Sequence, residues 1–302
     1  MMDTALILLL AMLIDAAFGE PKWLWDRVPH PAVLIGKAIA WADRGFNKGN
    51  ARASGVMVLV ALIIVGWWIG EAIEWLGNIP TLLTAAVLIA QKSLAQHVSA
   101  VGQALRSGLE DGRREVAKIV GRDTKELSEA EVARAAIESS AENLSDGVIA
   151  PIFWFLIAGL PGLLVYKAVN TADSMIGYKN AKYEDFGWAS ARFDDLLNWI
   201  PARLTAVLIM ISHLKFDAWS MIREDAALHR SPNAGWPEAA MARVLGVALS
   251  GPRSYDGQMR EFPYVNEFGR RSIGGNEIDH AVQALWRSWA LMLAIVGIFA
   301  LI

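Results

Sequence analysis

Segment 148–169 reads VIAPIFWFLIAGLPGLLVYKAV. It is long enough and apolar enough to cross a bilayer, yet Gly159-Leu160-Pro161-Gly162 interrupts its middle, where proline and glycine break a helix. The segment therefore reads as one broken span or a re-entrant pair of half-helices. Working outward, Lys and Arg are absent from 1–19, 53–91, 148–166, 204–214 and 288–302, which makes these blocks the membrane candidates. Block 53–91 reads as a hairpin of two apolar runs, Val56–Gly70 and Leu82–Leu94, joined by a turn that carries Glu71 and Glu74. Residues 4–18 form an apolar helix with acidic flanks, Asp3 and Asp15, instead of the basic start of a signal peptide. Segment 199–214 is shorter. The last, 285–302, begins with Trp286 and Trp289, where an interfacial aromatic belt belongs.

The expectation is an all-α integral membrane protein with about four to six membrane segments. It forms a single membrane-embedded domain over 1–302 with cytoplasmic helices and loops. Positive residues set its orientation. Lys22, Arg27, Lys37, Arg44, Lys48 and Arg52 crowd 20–54, whereas the turn at 71–80 has none. The polar stretches 105–147, 167–203 and 214–284 are basic in the same way. All four are expected in the cytoplasm, which requires an even number of crossings within 148–169 and favours the re-entrant form.

Composition supports this class and excludes others. Of 302 residues, 54% are hydrophobic and 20% charged, with a mean hydropathy of +0.33, too apolar for an ordinary soluble domain. Twenty-eight basic residues against 31 acidic ones give a net charge of −3, so no basic excess is available to bind nucleic acid. The chain has no cysteine, which removes disulfides, thiolate metal sites and cysteine nucleophiles. Phosphate-binding glycine loops and the His-Glu-x-x-His zinc motif are also absent from the sequence.

The chemistry sits in polar clusters beside the apolar blocks. Ser128-Glu129-Ala130-Glu131 is a capping box opening a helix over about 129–146 that Gly147 should end. Along it Arg134, Glu138, Glu142 and Asp146 recur every four residues and share one face, with Asn143 beside them. An exposed salt-bridge stripe is one reading. Three mutually repelling carboxylates running into the membrane boundary instead suit a hard cation such as Mg²⁺. A second cluster, Tyr166 to Asn180, includes Lys167, Asn170, Asp173, Ser174 and Lys179; it suits an anion, or else a helix cap and solvated loop. A third places Asp194 and Asp195 between Arg192 and Arg203. A fourth, His229 to Glu238, is a loop with two prolines in which His229 is either a loop hydrogen-bonder or a base.

In these strings the chain resembles the CobD/CbiB family, the adenosylcobinamide-phosphate synthases of cobalamin biosynthesis. The resemblance is carried nearly end to end by Asp15 with Gly19-Glu20-Pro21, His30-Pro31, Gly121-Arg122-Asp123, Glu138 to Asn143 with Asp146-Gly147, and Ala150-Pro151. It continues through Tyr166-Lys167, Asn170 to Met175, Gly177-Tyr178-Lys179, Ala191 to Asp195, Pro201 to Thr205 and Ser231 to Gly235. Glu20 and Ala172 are mild departures.

The resemblance implies ATP-dependent amide formation between (adenosyl)cobyric acid and (R)-1-aminopropan-2-ol or its O-phosphate. A free carboxylate must be activated for this, most simply by phosphoryl transfer from ATP with Mg²⁺. On that implication Glu138, Glu142 and Asp146 hold Mg²⁺, with Asn143 and Asp173 completing the set. Lys167, Asn170, Ser174, Lys179, Arg192, Arg203, Ser231 and Asn233 bind substrate or phosphate. Glu138 and Glu142 join the catalytic set, and Asp194, Asp195 or His229 takes the proton of the attacking amine. Trp154, Trp188 and Trp199 offer an apolar platform for the corrinoid. The implied location is a bacterial or archaeal cytoplasmic membrane with the active site facing the cytoplasm. Other late cobalamin enzymes are implied partners. A corrinoid transporter or an AmpE-like membrane signalling protein is the alternative.

Overall fold

A computed structural model describes residues 3–49, 51–255 and 257–301. The chain forms two compact units, each built from separated segments. The first comprises Met1–Ala90, Ala150–Trp199 and Ile295–Ile302, and the second Gln91–Ile149 and Ile200–Ala294.

The first unit contains α1 (Thr4–Phe18), α2 (Lys22–Trp25), α3 (Pro31–Phe46), α4 (Ala51–Trp75) and α5 (Asn78–Leu88). The second begins with α6 (Gln91–Ser107), α7 (Leu109–Val116) and α8 (Glu129–Leu144), the last running into a π-helical turn, Ser145–Ile149. Helices α9 (Ala150–Ile176) and α10 (Trp188–Leu197) return to the first unit. The rest of the chain adds α11 (Trp199–Ser212), α12 (Trp219–Ala226), α13 (Gly235–Leu245), β1 (Leu249–Ser250), β2 (Arg253–Tyr255), β3 (Gln258–Arg260), β4 (Tyr264–Val265) and α14 (Gly275–Phe299). The strands make two small antiparallel pairs, β1 with β4 and β2 with β3.

This is a membrane protein of the all-α class, its strands being short segments of two or three residues. Among the described residues three helical runs are long and apolar enough to cross a bilayer, Ala51–Trp75, Glu129–Ile176 and Gly275–Phe299. The consecutive helices Trp188–Leu197 and Trp199–Ser212 make a fourth if taken as one broken span. Thr4–Phe18 is a shorter apolar helix. The second arm of the expected hairpin is short: α5 has 11 residues, and the chain leaves helix before α6 starts at Gln91.

Within the first unit α4 packs along α9 through small residues, while Met57, Val60, Ile64, Val65 and Trp68 stay exposed on its other side. Such an exposed apolar face suits lipid, and close backbone approach is how helices associate where no water drives them together. A side chain on Gly55 would run into the carbonyl of Phe186, and one on Gly70 into the backbone of Pro161. At Gly66 the nearest atom, Val165 Cα, would lie at an ordinary 3.5 Å. Gly70→Val should therefore destabilise the pair by about 3 kcal/mol, at the upper end for an overpacked contact, while Gly66→Ala is tolerated. Melting curves of the two variants in detergent check this, and equal stability would contradict it.

The interruption in α9 falls where the sequence places it. Ala158 and Gly159 leave helical geometry, Gly159 with φ +61°, a left-handed conformation open to glycine. The second half of the helix restarts with the Leu160 amide donating to Glu74 Oε1 at 2.7 Å. Glu74 thus supplies an acceptor for one of the orphan donors of that half-helix, and its charge opposes the positive end of the dipole.

At the other junction the structure corrects the sequence reading: Gly147 does not end the helix. The chain stays helical through Ser145–Ile149, where one π turn takes up the extra residue. A glycine without a left-handed φ is no stop signal, and continuing keeps the backbone hydrogen-bonded at the edge of the apolar segment.

Candidate functional site

The second unit contains a buried charge cluster built on α8. Its capping box forms as expected: Ser128 Oγ accepts from the Glu131 amide, and Glu131 Oε2 accepts from the Ser128 amide at 2.8 Å. The polar stripe that follows is no exposed salt-bridge row, because Arg134 is 7% exposed and Glu138 only 2%. Glu138 Oε1 accepts the Ser250 amide at 2.5 Å, and Oε2 accepts from Arg122 and, at 3.3 Å, from Arg253 Nη1. Arg253 Nη2 also donates to Ser250 Oγ at 2.6 Å, and Arg134 Nη1 to the Ser250 carbonyl at 3.4 Å. Ser250 takes φ +62° to present these groups and is followed by Gly251 at +81°. A non-glycine residue held there carries backbone strain, of the kind that surrounding contacts sustain at functional sites.

Facing this cluster is Glu238 of α13, which is 3% exposed. Its Oε1 lies 3.7 Å from His229 Nε2, and its Oε2 has no hydrogen-bond partner among the described residues. The loop between them is tightly drawn: Ser231 Oγ accepts from the amides of Asn233 and Ala234, and a side chain on Gly235 would strike His229 Cβ. His229 Nδ1 accepts from the Ser231 amide at 3.1 Å, which leaves Nε2 to carry the proton of the neutral ring.

Burial pushes His229 down to about 4. Burial, and then the charges of Glu138 and Glu142, hold Glu238 well above the ordinary carboxylate range. Both directions take charge off the pair, and at neutral pH His229 is uncharged. For His229 the unfolded chain binds the extra proton between pH 6.5 and about 4, so its contribution to stability falls as pH drops through that window. The loss is at most about 3 kcal/mol, at 1.36 kcal/mol per pH unit. Glu238 acts in the opposite sense, its contribution being full below 4.5 and lost as pH rises towards its folded value. His229→Gln should accordingly lose less melting temperature than the natural protein between pH 7 and pH 4.5. Parallel pH profiles for the two proteins would overturn this.

One turn beyond Glu138, Glu142 is solvent-accessible, and its side chain makes no hydrogen bond to a described residue. Arg230, then Arg122, supply the positive charge beside it. Asn143 donates back to the Ser139 carbonyl at 2.9 Å. These residues do not fit a protein-held Mg²⁺: both oxygens of Glu138 are occupied by guanidinium and amide donors. Among the described residues no group of three or more acidic or histidine side chains is arranged to hold a metal. Asp173, the fifth expected ligand, belongs to the first unit.

The first unit holds its own polar cluster. Asp194 is buried and makes no ion pair among the described residues; its two oxygens accept from Asn170 Nδ2 at 3.2 Å and Asn198 Nδ2 at 3.0 Å. Tyr166 in turn donates to Asn198 Oδ1 at 2.9 Å. Asp195 lies beside the charges of Arg192 and Lys179, while Lys167 sits half-buried on α9 and Ser174 and Lys179 are exposed. Adjacent aspartates thus have separate surroundings, as 100° per residue requires. Trp154 donates to the Leu197 carbonyl at 3.2 Å, Trp188 lies under Arg52, and Trp199 is exposed.

Three of the expected phosphate ligands brace a loop. Arg203 donates to Asn233 Oδ1 at 3.1 Å and to the Pro232 carbonyl and stacks on Trp236, while Ser231 caps the turn into α13. Conversely, Arg253 and Ser250 belong to the buried cluster although the sequence marks neither, and Glu238 stands out there only as the end of the His229 loop. Arg122 appeared only within the Gly121-Arg122-Asp123 string.

Helical spans, a lipid-suited face and a buried arginine–glutamate cluster define a membrane protein with a charged site on its polar helices. The chain belongs to the CobD/CbiB family, whose sequence pattern, described as CobD/Cbib protein, it matches over residues 8–285. It is 47% identical to the "Cobalamin biosynthesis protein CobD" of Brucella anthropi, covering 96% of this chain and 95% of that one. It is 48% identical to the protein of the same name from Sinorhizobium sp, covering 98% of each. The Rhodobacter capsulatus protein of that name is 47% identical, covering 88% of each. No solved structure matches the chain.

Proposed function

We propose that this protein acts in cobalamin biosynthesis as a membrane-embedded ligase. It joins the carboxylate of (adenosyl)cobyric acid to (R)-1-aminopropan-2-ol or its O-phosphate, with ATP as the co-substrate that activates the acid. Phosphoryl transfer to a carboxylate oxygen releases ADP and leaves an acyl phosphate. The amine then attacks the acyl carbon, the C–N bond forms as the C–O bond to phosphate breaks, and the amine loses a proton. Membership of the family supports the pathway, and the abundance of Lys and Arg in the polar segments supports a site facing the cytoplasm.

The observation that carries the chemistry is the contrast between Glu138 and Glu142. Glu138 is consumed by Arg122 and Arg253, whereas Glu142 is solvent-accessible beside Arg230. A free carboxylate among arginines suits a zwitterionic amino-alcohol phosphate, with Glu142 taking the ammonium and then its proton and the guanidiniums taking the phosphate. His229 is a weak base with a pKa of about 4 and lies against Glu238, whereas Glu142 is open to solvent, so Glu142 is the better placed acceptor.

The broken α9, with its half-helix facing Glu74, favours a carrier as the second reading, since discontinuous helices are a transporter feature. Mass spectrometry on protein in nanodiscs, given adenosylcobyric acid, aminopropanol phosphate, ATP and Mg²⁺, separates the two. Amide appearing with nucleotide cleavage supports the ligase. Corrinoid binding by folded protein with neither product supports the carrier.

A further inference from the structure

A narrow cleft in the second unit is lined by His229, Arg230, Ser250, Arg253, Phe262 and Pro263. Two features make it a built site. Arg253 is 8% exposed, and its Nε–H has no hydrogen-bond partner among the described residues although Nη1 and Nη2 are engaged. A buried guanidinium donor left unsatisfied is costly, and a ligand acceptor would complete it. The balance of charge points the same way. Arg122, Arg230 and Arg253 converge on Glu138, Glu142 and Glu238, and burial holds the Glu238 carboxyl well above the ordinary range, which lowers the negative charge facing these guanidiniums. Phe262, with the guanidinium carbons of Arg253 at 5.0 Å and Arg230 at 5.8 Å from its ring centre, supplies an apolar wall that holds both side chains in place.

We infer that this cleft binds the phosphate group of a phosphate-bearing substrate, gripped by Arg253 from inside and by Arg230 from the surface. Arg253 gives fixed direction through its Nε–H, and Arg230, on the exposed side, gives capture. The source of the phosphate is either the amino-alcohol phosphate or the nucleotide. Only that choice rests on the ligase reading; the anion site itself does not.

The test uses the full chain in nanodiscs and calorimetric titration of inorganic phosphate, (R)-1-aminopropan-2-ol O-phosphate, ATP and phosphate-free (R)-1-aminopropan-2-ol. Arg230→Ala and Arg253→Lys should each weaken inorganic phosphate by about tenfold or more, as loss of a charged hydrogen-bond donor does, and leave the phosphate-free amine unaffected. Arg253 also contacts Glu138, so a variant there that misfolds is set aside and Arg230→Ala, altered at an exposed position, decides the matter. A parallel loss for the amino-alcohol phosphate assigns the cleft to that substrate, and one for ATP assigns it to the nucleotide. No phosphate binding by the natural protein, or binding unchanged in folded Arg230→Ala, overturns the site. Phosphate binding lost in the variant without any amide product in the natural protein keeps the cleft and sinks the ligase. Amide product with unaltered phosphate binding does the reverse.

Discussion

Glu138→Gln is expected to destabilise the second unit by about 3–5 kcal/mol, the usual consequence of removing one partner from a buried ion pair. The neutral amide would still accept from the Ser250 amide. It would take from the half-buried Arg122 and the buried Arg253 the counter-charge that Glu138 gives them, and the strained backbone at Ser250 would lose part of what holds it. The loss should appear as an early melting transition in nanodiscs, with activity falling only in proportion to the folded fraction. A variant that melts with the natural protein would show that the cluster contributes little to the fold. A stable but inactive one would make Glu138 a reacting group.

Glu142→Gln, one helical turn away, should do the opposite. Its carboxylate makes no hydrogen bond to a described residue, so stability should stay within about 0.5 kcal/mol, as for other surface changes. Amide formation should fall by about 10²–10³-fold, the contribution of a positioned proton acceptor. Rates are to be measured at saturating amine so that weakened binding is not mistaken for slower chemistry. Unchanged turnover removes Glu142 from the mechanism and returns the proton to the Asp194 or Asp195 cluster of the first unit. Two glutamates of one stripe thus carry separable expectations, stability for one and rate for the other.

The break in α9 joins sequence and structure in another way. Gly159 and Pro161 announce an interruption, but neither shows what happens to the donors it exposes. Glu74, 86 positions away, faces the Leu160 amide. The acidic stretch that the sequence offers as a positive-free outer turn is instead the last turns of α4, and through Glu74 it has a structural task within the first unit.

How much of this protein was legible follows from the range of the forces involved. Readable along the chain are the helical membrane class, the break at Gly159, the capping box at Ser128 and the shared face of Arg134, Glu138 and Glu142. Each of these depends on composition or on residues within a turn or two of one another. Which members of that face are buried, and what they meet, is set by folding. Ser250 lies 112 positions from Glu138 and Arg253 lies 115. No local periodicity could pair them, because the pairing is made by loop closure that brings β1 and β2 against α8. Folding likewise brings Arg203 onto Asn233, 30 positions away, where the two brace a loop, and makes Glu138 the anchor of two arginines. A charged residue advertises its chemistry in the sequence, whereas its availability is set by the neighbours that folding supplies.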